Sequence, residues 1–231
     1  MQPLRVMCIS IDDFYYSHQE LLELQNGKYA QCKLLHGRGL PGSHCLKLGR
    51  SVLDDLISAH TELRETGIIR QVAIPRYGKS AFGGLGDRIR KSEWTVVSPP
   101  FDIILFEGWM LGFKAIDDLG IIASLDQDVC MVNEELFKYE QCWHSLLDAR
   151  TLLRTESMST VYDWRWEQEE SMRESLQDPN AGMSREQCDA FVDRFMPCYE
   201  LYLEPYLRNL PSPNLVLTLD KLRRIVHKVS N

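Results

Sequence analysis

A short apolar run that ends in a carboxylate and a glycine constrains the fold of this chain more than any other stretch. Residues Phe101–Trp109 have the sequence FDIILFEGW and follow two prolines. A run this short and this rich in Ile, Leu and Phe is typical of a strand covered on both faces, as in a parallel sheet between helices. Such strands carry functional residues at their carboxyl ends. Glu107 is therefore predicted to face a crevice and bind a cation or its waters, although a plain carboxylate at a strand exit fits this segment equally well.

A second predicted strand also ends in acid. Arg5–Ile11 has the β-prone sequence RVMCISI and stops at Asp12-Asp13. Ser17 and Glu20 then have the spacing of a capping box, which predicts the start of a helix. Two strands that end in carboxylates suggest a common functional edge.

Strands and helices alternate along the rest of the chain, which predicts an α/β architecture. We expect a helix from Leu46 to about Gly67, a strand over Ile68–Ile74, a helix capped by Asn133, a strand over Ala149–Arg154, a helix over Ser159–Leu176, a capping box at Ser184 and Gln187, a helix interrupted by Pro197, a strand over Asn214–Leu219, and a closing helix over Lys221–Val229 capped by Asp220.

Two glycine-containing loops carry basic residues. The first, His36–His44, contains Arg38 between two glycines, which would let the backbone approach an anionic ligand. The second, Ala73–Ser80, ends in Gly-Lys-Ser and imitates the phosphate-binding loop GxxxxGK[ST]. Its first position is not glycine, it contains a proline, and three more glycines follow closely, so a helix is not expected there. A glycine-rich flap that carries basic residues toward an anionic substrate fits better, and a solvated basic loop is a comparable interpretation.

Composition and charge exclude several classes of protein. The chain has 231 residues, 44% hydrophobic and 26% charged, which suits one well-buried domain or two small ones. Its net charge of -7 gives no general attraction to nucleic acid or anionic membranes. No apolar run reaches the roughly 20 residues of a membrane span, and no signal-peptide layout is present. The seven cysteines are scattered without a metal-binding spacing, so we interpret them as reduced thiols of a cytoplasmic protein.

Strand-end carboxylates together with basic glycine loops are what phosphoryl transfer requires. A carboxylate accepts the proton of the acceptor hydroxyl, a carboxylate-supported Mg²⁺ holds phosphate oxygens, and cations neutralise the developing charge. From the residues alone, a hydrolase could be built from the same parts.

The order of motifs along the chain is more specific. The motifs are SIDDFY (residues 10–15), RGLPG (38–42) with His44, PRY (75–77), KSAF (79–82), GDR (86–88), FEGWMLGF (106–113), VY (161–162), WR (164–165) with EQE (167–169), MP (196–197) and YELYL (199–203). This series resembles the D-glycerate 3-kinase family, which includes fungal ATP-binding kinase-like proteins and is similar to uridine kinases, phosphoribulokinases and bacterial pantothenate kinases.

The resemblance implies a three-layer P-loop kinase fold with a mostly parallel sheet, in a single domain over residues 1–231 with a helical lid at about 155–195. It implies ATP and Mg²⁺ as cofactors and a glycerate-like small molecule as substrate, with neither nucleic acid nor membrane as partner. The site residues that it implies are Asp12 as catalytic base with Asp13 beside it, Glu107 near Mg²⁺, Arg38, Tyr77, Lys79 and Arg88 on the acceptor side, and Arg165 near the nucleotide phosphates.

The sequence also departs from the family pattern. Family members place GxxxxGK[ST] upstream of the SIDDFY strand, and this chain begins only a few residues before that strand. We therefore expect the N-terminal strand, P-loop and helix to be missing, an apolar sheet edge to be exposed, and phosphoryl transfer to be impaired. Gly78 and Cys45 stand where the family tends to have Asp. The alternative function is a catalytically inactive, kinase-like binding or regulatory protein.

Overall fold

The computed structural model describes residues 3–230 and divides the chain into two compact units, one ending at Leu146 and the other beginning at Leu147. A single domain over the whole chain and a lid at 155–195 remain predictions. No helix in the described range is both long and apolar enough to cross a membrane.

The first unit contains short strands and helices in alternation. In chain order they are β1 (Val6–Ser10), α1 (His18–Asn26), α2 (Leu46–Thr66), β2 (Val72–Ile74), β3 (Tyr77–Gly78), β4 (Asp87–Arg88), β5 (Thr95–Val97), β6 (Ile103–Glu107), α3 (Leu119–Ile122) and α4 (Gln127–Cys142).

The two acid-terminated strands pair with each other. β1 and β6 are parallel, in a register that runs from Val6 opposite Ile103 to Ser10 opposite Glu107. Both strands are therefore confirmed, with bounds slightly inside those predicted. The expectation that β6 is covered on both faces is wrong, because Ile103 and Leu105 on one face are 40% and 51% exposed. Because the strands are parallel, the carboxylates that follow β1 lie at the same sheet edge as Glu107.

Aromatic side chains form the core beside this sheet. Trp143 is fully buried, and its ring contacts those of Phe14, Phe106 and Tyr139 at centroid distances of 5.8, 5.4 and 5.1 Å. α2 approaches closely because it presents Gly49 to Trp143, where an added Cβ would lie 2.6 Å from the indole. Large aromatic rings that interlock in this way fix the positions of the loops that follow β1 and β6.

The predicted ends of two helices have different outcomes. α2 runs over the predicted range and ends at Gly67 in the left-handed conformation, as expected of a C-terminal glycine. The prediction that Asn133 caps a helix is wrong. α4 begins at Gln127, seven residues before the start that a cap at Asn133 would give, because the carboxylate of Asp126 accepts from the amide of Asp128 and caps the helix. Asn133 lies inside α4, and its side-chain amide bonds both the N–H and the C=O of Ile116.

Two antiparallel pairs hold the second basic loop. β2 pairs with β5, and β3 pairs with β4, with Tyr77 opposite Arg88. The Ala73–Ser80 stretch therefore continues into a hairpin, and a 3₁₀ turn at Ala81–Gly84 follows it. Phe82 and Gly83 have positive φ inside that turn. The prediction that this stretch does not open an α-helix is confirmed. Its role as a flap over an anionic substrate stays a prediction, and residues 75–88 are called the flap below.

The second unit combines a three-stranded sheet with helices. Its elements are β7 (Arg150–Thr155), α5 (Ser159–Leu176), α6 (Arg185–Asp193), α7 (Met196–Cys198), a π-helical turn at Tyr199–Leu203, α8 (Glu204–Arg208), β8 (Asn214–Leu219) and β9 (Ile225–Ser230). β7 and β8 are parallel, and β9 is antiparallel to β8. Parallel pairs in both units together with the helices confirm the α/β class.

The predicted closing helix at Lys221–Val229 is wrong, because this segment forms a hairpin with β8. The carboxylate of Asp220 accepts from the amides of Leu222 and Arg224 and thereby closes a turn in place of capping a helix. Ile225, Val226 and Val229 are β-branched and suit the strand β9. The capping box of Ser184 and Gln187 is present as predicted.

Candidate active site

Asp12 lies directly beyond the end of β1, in a 3₁₀ turn over Ile11–Phe14. The Ser10 hydroxyl accepts from the Asp12 amide at 3.3 Å and caps this turn. Ser10 is also the residue that pairs with Glu107 across the sheet. Asp12 and Glu107 therefore lie at the same edge of the β1–β6 sheet, as predicted from the ends of the two strands.

The carboxylate of Asp12 forms an ion pair with Lys79 from the flap. Lys79 Nζ lies 2.7 Å from Asp12 Oδ2. Burial raises the pKa of Asp12, but the hydrogen bond and charge of Lys79 outweigh burial and hold this pKa below its ordinary value. Asp12 is thus ionised at neutral pH and able to accept a proton.

Asp13 has a different environment from its neighbour. Its side chain is buried, and its oxygens accept from Arg76 Nη1 at 2.8 Å and from the Tyr77 amide at 3.3 Å. Burial raises the pKa of Asp13 above its ordinary value in spite of Arg76. Because both contacts lead to the start of β3, Asp13 anchors the flap hairpin to the end of β1.

Arg38 reaches the flap from the RGLPG loop. Its Nη1 donates to the carbonyls of Gly84 and Leu85 at 2.6 and 2.5 Å. Gly86 has φ +83°, and a Cβ there would lie 2.4 Å from the Tyr77 ring and 3.0 Å from Arg38 Nη1. The flap therefore fits tightly over Tyr77 and Arg38 only because position 86 is glycine.

Tyr77 is 9% exposed, and its ring meets that of Tyr15 edge-on at 5.1 Å. Its hydroxyl oxygen is buried and has no hydrogen-bond partner among the described residues. Burial raises the pKa of Tyr77 to about 12, so the hydroxyl is a neutral donor and acceptor. A buried polar atom without a partner is a natural point of contact for a ligand.

Arg88 does not extend into open solvent. Its guanidinium donates to the Tyr15 carbonyl through Nε at 3.2 Å and Nη2 at 2.8 Å, and Nη2 lies 3.4 Å from Glu20 Oε2. These bonds connect β4 to the segment that follows Asp12. Arg88 therefore lies at the side of the candidate site, bound to backbone next to Asp12.

Two buried groups near Asp12 received no individual role from the sequence. His44 is 1% exposed and stacks on Tyr15 with ring centroids 4.3 Å apart. Its Nδ1 lies 2.8 Å from the hydroxyl of Tyr139, which in turn accepts from the Gly42 amide at 3.0 Å. Burial lowers the pKa of His44 to about 3, so the imidazole is neutral. The order GLPGSH in the sequence marked this loop as unusual, but the partner Tyr139 lies 95 residues further along the chain.

Glu107 is exposed at the carboxyl end of β6. Residues 3–230 contain no group of three or more His, Cys, Asp or Glu side chains placed to hold a metal ion. Mg²⁺ is commonly held by one or two carboxylates together with substrate phosphates and water, so an exposed glutamate at a strand end fits this cation.

Arg165 belongs to the second unit, on α5. Its guanidinium forms an ion pair with the buried Glu169 one turn along the helix and lies 5.3 Å from the ring centroid of Phe191. Glu169 also accepts from the Met183 amide at 2.8 Å. Arg165 therefore joins α5 to α6 within its unit, and its role at a nucleotide stays a prediction.

Comparisons with known proteins agree on one kind of relative. No family model matches the chain. The chloroplastic D-glycerate 3-kinase of Arabidopsis thaliana is 39% identical over 215 residues, which cover 92% of this chain and 45% of that protein. The probable ATP-dependent kinase TDA10 of Saccharomyces cerevisiae is 37% identical over 228 residues, covering 94% of this chain and 73% of that protein.

A solved structure shows the same likeness in three dimensions. The D-glycerate 3-kinase of Cryptococcus neoformans var. grubii superposes with a TM-score of 0.82 at 29% sequence identity, over 99% of this chain and 80% of that one. The chain thus spans less than half of the plant relative and about three quarters of the yeast relative.

Proposed function

Because the chain belongs to the family of D-glycerate 3-kinases and fungal ATP-dependent kinases, we propose that it acts in ATP-dependent phosphoryl transfer to a hydroxyl group of a small, glycerate-like acid. The observation that carries this proposal is the ion pair between Asp12 and Lys79 at the carboxyl edge of the parallel pair β1 and β6. It joins a carboxylate held ionised to a cation at the edge where α/β proteins bind their ligands.

The proposed role of Asp12 is general base. As the acceptor oxygen bonds to the γ-phosphorus and the bond from that phosphorus to the β,γ-bridging oxygen breaks, the hydroxyl proton passes to the Asp12 carboxylate. Lys79 keeps the carboxylate deprotonated beforehand and offers positive charge beside the reacting oxygens. Asp13 is proposed to act through the flap, since it holds Arg76 and the Tyr77 amide.

The acceptor is proposed to lie against the flap. Arg38 provides a guanidinium for the carboxylate of the acid, and the buried Tyr77 hydroxyl provides a donor for one of its oxygens. Arg88 is proposed to hold the backbone beside the acceptor in place, because its guanidinium donates to the Tyr15 carbonyl. This arrangement supports a small, anionic, hydroxyl-bearing acceptor, because the Arg38 guanidinium lies 5.9 Å from the ring centroid of Tyr77.

The nucleotide is proposed to bring Mg²⁺ with it. Glu107 would hold the ion, directly or through water, at the sheet edge where Asp12 also lies. When bound, Mg²⁺ supplies positive charge to the phosphate oxygens. For Arg165, the proposed role at the nucleotide phosphates rests on the family resemblance alone.

The first prediction concerns Asp12→Asn. The amide cannot accept the hydroxyl proton, so we expect the rate of phosphate transfer from Mg-ATP to D-glycerate to fall roughly 10²-fold or more while the affinity for ATP is retained. Transfer is measured with the purified chain as formation of phosphoglycerate, and ATP affinity is measured by calorimetry.

Asp117→Asn is the matched control, because Asp117 is an exposed aspartate outside the site. It should leave the transfer rate unchanged. A folded wild-type chain that binds neither Mg-ATP nor D-glycerate would contradict the proposed function. Binding of D-glycerate without phosphate transfer would instead indicate a catalytically silent binding protein.

A further inference from the structure

His18, the first residue of α1, contacts the flap at two points. Its imidazole stacks on the ring of Phe82, with ring centroids 4.0 Å apart and an interplanar angle of 13°. Its backbone amide donates to Asp87 Oδ1 at 2.9 Å. His18 therefore holds both the turn at Ala81–Gly84 and the strand β4 that follows it.

The start of α1 is a firm support for these contacts. Ser17 Oγ accepts from the Glu20 amide at 3.3 Å, and Glu20 Oε2 accepts from the Ser17 amide at 2.7 Å, which completes the capping box. Glu20 Oε2 also lies 3.4 Å from Arg88 Nη2 on β4. The helix start and the flap are thus joined beside the stack, and the His18 ring is held where Phe82 meets it.

Phe82 has a backbone conformation that its side chain disfavours. Its φ and ψ are +50° and +45°, in the left-handed region, where a Cβ lies too close to the following carbonyl. Glycine adopts this region freely, and Gly83, Gly84 and Gly86 have positive φ in the same segment. Phe82 is also 58% exposed, so burial does little to offset the cost. The stack on His18 supplies an attraction that opposes it.

The stack and the contact with Arg38 belong to one turn that is bonded internally. The Leu85 amide donates to the Phe82 carbonyl at 3.3 Å, and the Leu85 carbonyl accepts from Arg38 Nη1. These groups should therefore move together. For the turn to leave Arg38, it must leave His18 as well.

We propose that His18 and Phe82 control the access of an acid to Arg38. The identity of the acid rests on the proposed function, whereas the hold of the stack on the flap does not. A carboxylate gains the bonds of Arg38 Nη1 only in the fraction of molecules whose turn has moved off. The rate of association scales with that fraction, and the stack keeps the fraction small.

The first test is hydrogen exchange of flap amides in the purified chain without added ligand, measured by NMR. The Gly86 amide is the reporter, because it donates to the Ala81 carbonyl at 2.8 Å across the turn. His18→Ala removes the stacked ring but keeps the flap sequence and the backbone amide at position 18. We expect the Gly86 amide to exchange about fivefold faster, the change that corresponds to the loss of one aromatic pair.

Three further variants separate the stack from other effects. His18→Phe keeps a ring that can stack on Phe82 and should restore slow exchange. In a Phe82→Asn background, where no ring remains and asparagine tolerates positive φ, His18→Ala should have no further effect. Gln19→Ala is the control, because Gln19 is the next residue of α1 and is exposed. It should leave the exchange of Gly86 unchanged.

The second test is the association of D-glycerate, measured by stopped-flow tryptophan fluorescence. We expect association to be about fivefold faster with His18→Ala than with the wild type, and His18→Phe to restore the wild-type rate. Unchanged exchange of Gly86 in a folded His18→Ala variant overturns the inference. Faster exchange with an unchanged rate of association also overturns it. A chain whose flap loosens in His18→Ala but that binds no D-glycerate supports the hold of the stack on the flap and overturns the proposed acceptor.

Discussion

At the scale of single residues, Tyr77 has a buried hydroxyl with no hydrogen-bond partner among residues 3–230. A buried polar group in that state costs stability, which a ligand would recover on binding. We predict that Tyr77→Phe raises the free energy of unfolding by about 1 kcal/mol, measured by urea denaturation. The same variant should bind D-glycerate more weakly, measured by calorimetry.

Tyr29→Phe provides the comparison for this prediction, because the Tyr29 hydroxyl donates to the Gly42 carbonyl at 3.4 Å and accepts from Lys28. Its removal should lower stability. If Tyr77→Phe lowers stability to the same extent, the Tyr77 hydroxyl has a partner in solution and the idea of a vacant acceptor contact fails.

The sequence identified which residues gather at the site better than it identified what each one does. Asp12 and Lys79 could be predicted because a strand exit and a basic loop are visible in the residue order. Asp13 and Arg88 could not be distinguished from them, since a charge that anchors the backbone and a charge proposed for catalysis have the same local pattern. Their partners, the Tyr77 amide and the Tyr15 carbonyl, are backbone groups that only the folded chain brings near.

At the scale of elements, α2 begins without a side-chain cap. Cys45 occupies the N-cap position and makes no capping hydrogen bond. A carboxylate there would accept from free amides and favour the positive end of the helix dipole. We predict that Cys45→Asp raises the free energy of unfolding by about 1 kcal/mol at pH 7, measured by urea denaturation.

Cys45→Ala separates the cap from the loss of the thiol, since alanine cannot accept a hydrogen bond. It should give no gain. A stability of Cys45→Asp equal to or below that of Cys45→Ala would show that the backbone at this position cannot turn a cap toward the first amides of α2.

Elements were predictable where local chemistry alone decides them. The capping boxes at Ser17 and Ser184 and the strand Asn214–Leu219 depend on residues adjacent in sequence, and all are present. The segment after Asp220 was mistaken for a helix because an aspartate can cap a helix or close a hairpin equally well. Pairing with β8 selects the hairpin over the helix. Strand pairing depends on contacts with other segments, which the periodicity of one segment does not reveal.

At the scale of the whole molecule, the stability of the protein should depend on the protonation of a buried histidine. Burial lowers the pKa of His44 from its ordinary value of 6.5, which applies to the unfolded chain, to about 3 in the folded state. Protons therefore bind the unfolded state more readily. Its contribution is fully present above pH 6.5 and is lost as the pH falls toward 3, by about 1.4 kcal/mol for each pH unit. Asp12, with a lowered pKa, acts in the same direction, and Asp13, with a raised pKa, opposes it.

We therefore predict that the free energy of unfolding decreases between pH 6.5 and pH 4.5, and that His44→Gln flattens this decrease. Urea denaturation at several pH values gives the measurement. His227→Gln is the control because His227 is exposed on β9, and it should keep the wild-type slope. Equal slopes in the wild type and His44→Gln would mean that His44 is hydrated in solution.

The bonds from Arg38 to the carbonyls of Gly84 and Leu85 have a consequence for discrimination among small molecules. A guanidinium engaged with neutral carbonyls gives them up readily to a carboxylate, which is the stronger acceptor, but not to an uncharged alcohol. On the proposed function, an acid that enters the site would replace the two carbonyls at Arg38 and so free this part of the flap to move. A neutral polyol would not displace the Gly84 and Leu85 carbonyls from Arg38. The site would therefore favour acids over neutral polyols, because the ligand competes with these carbonyls for the guanidinium.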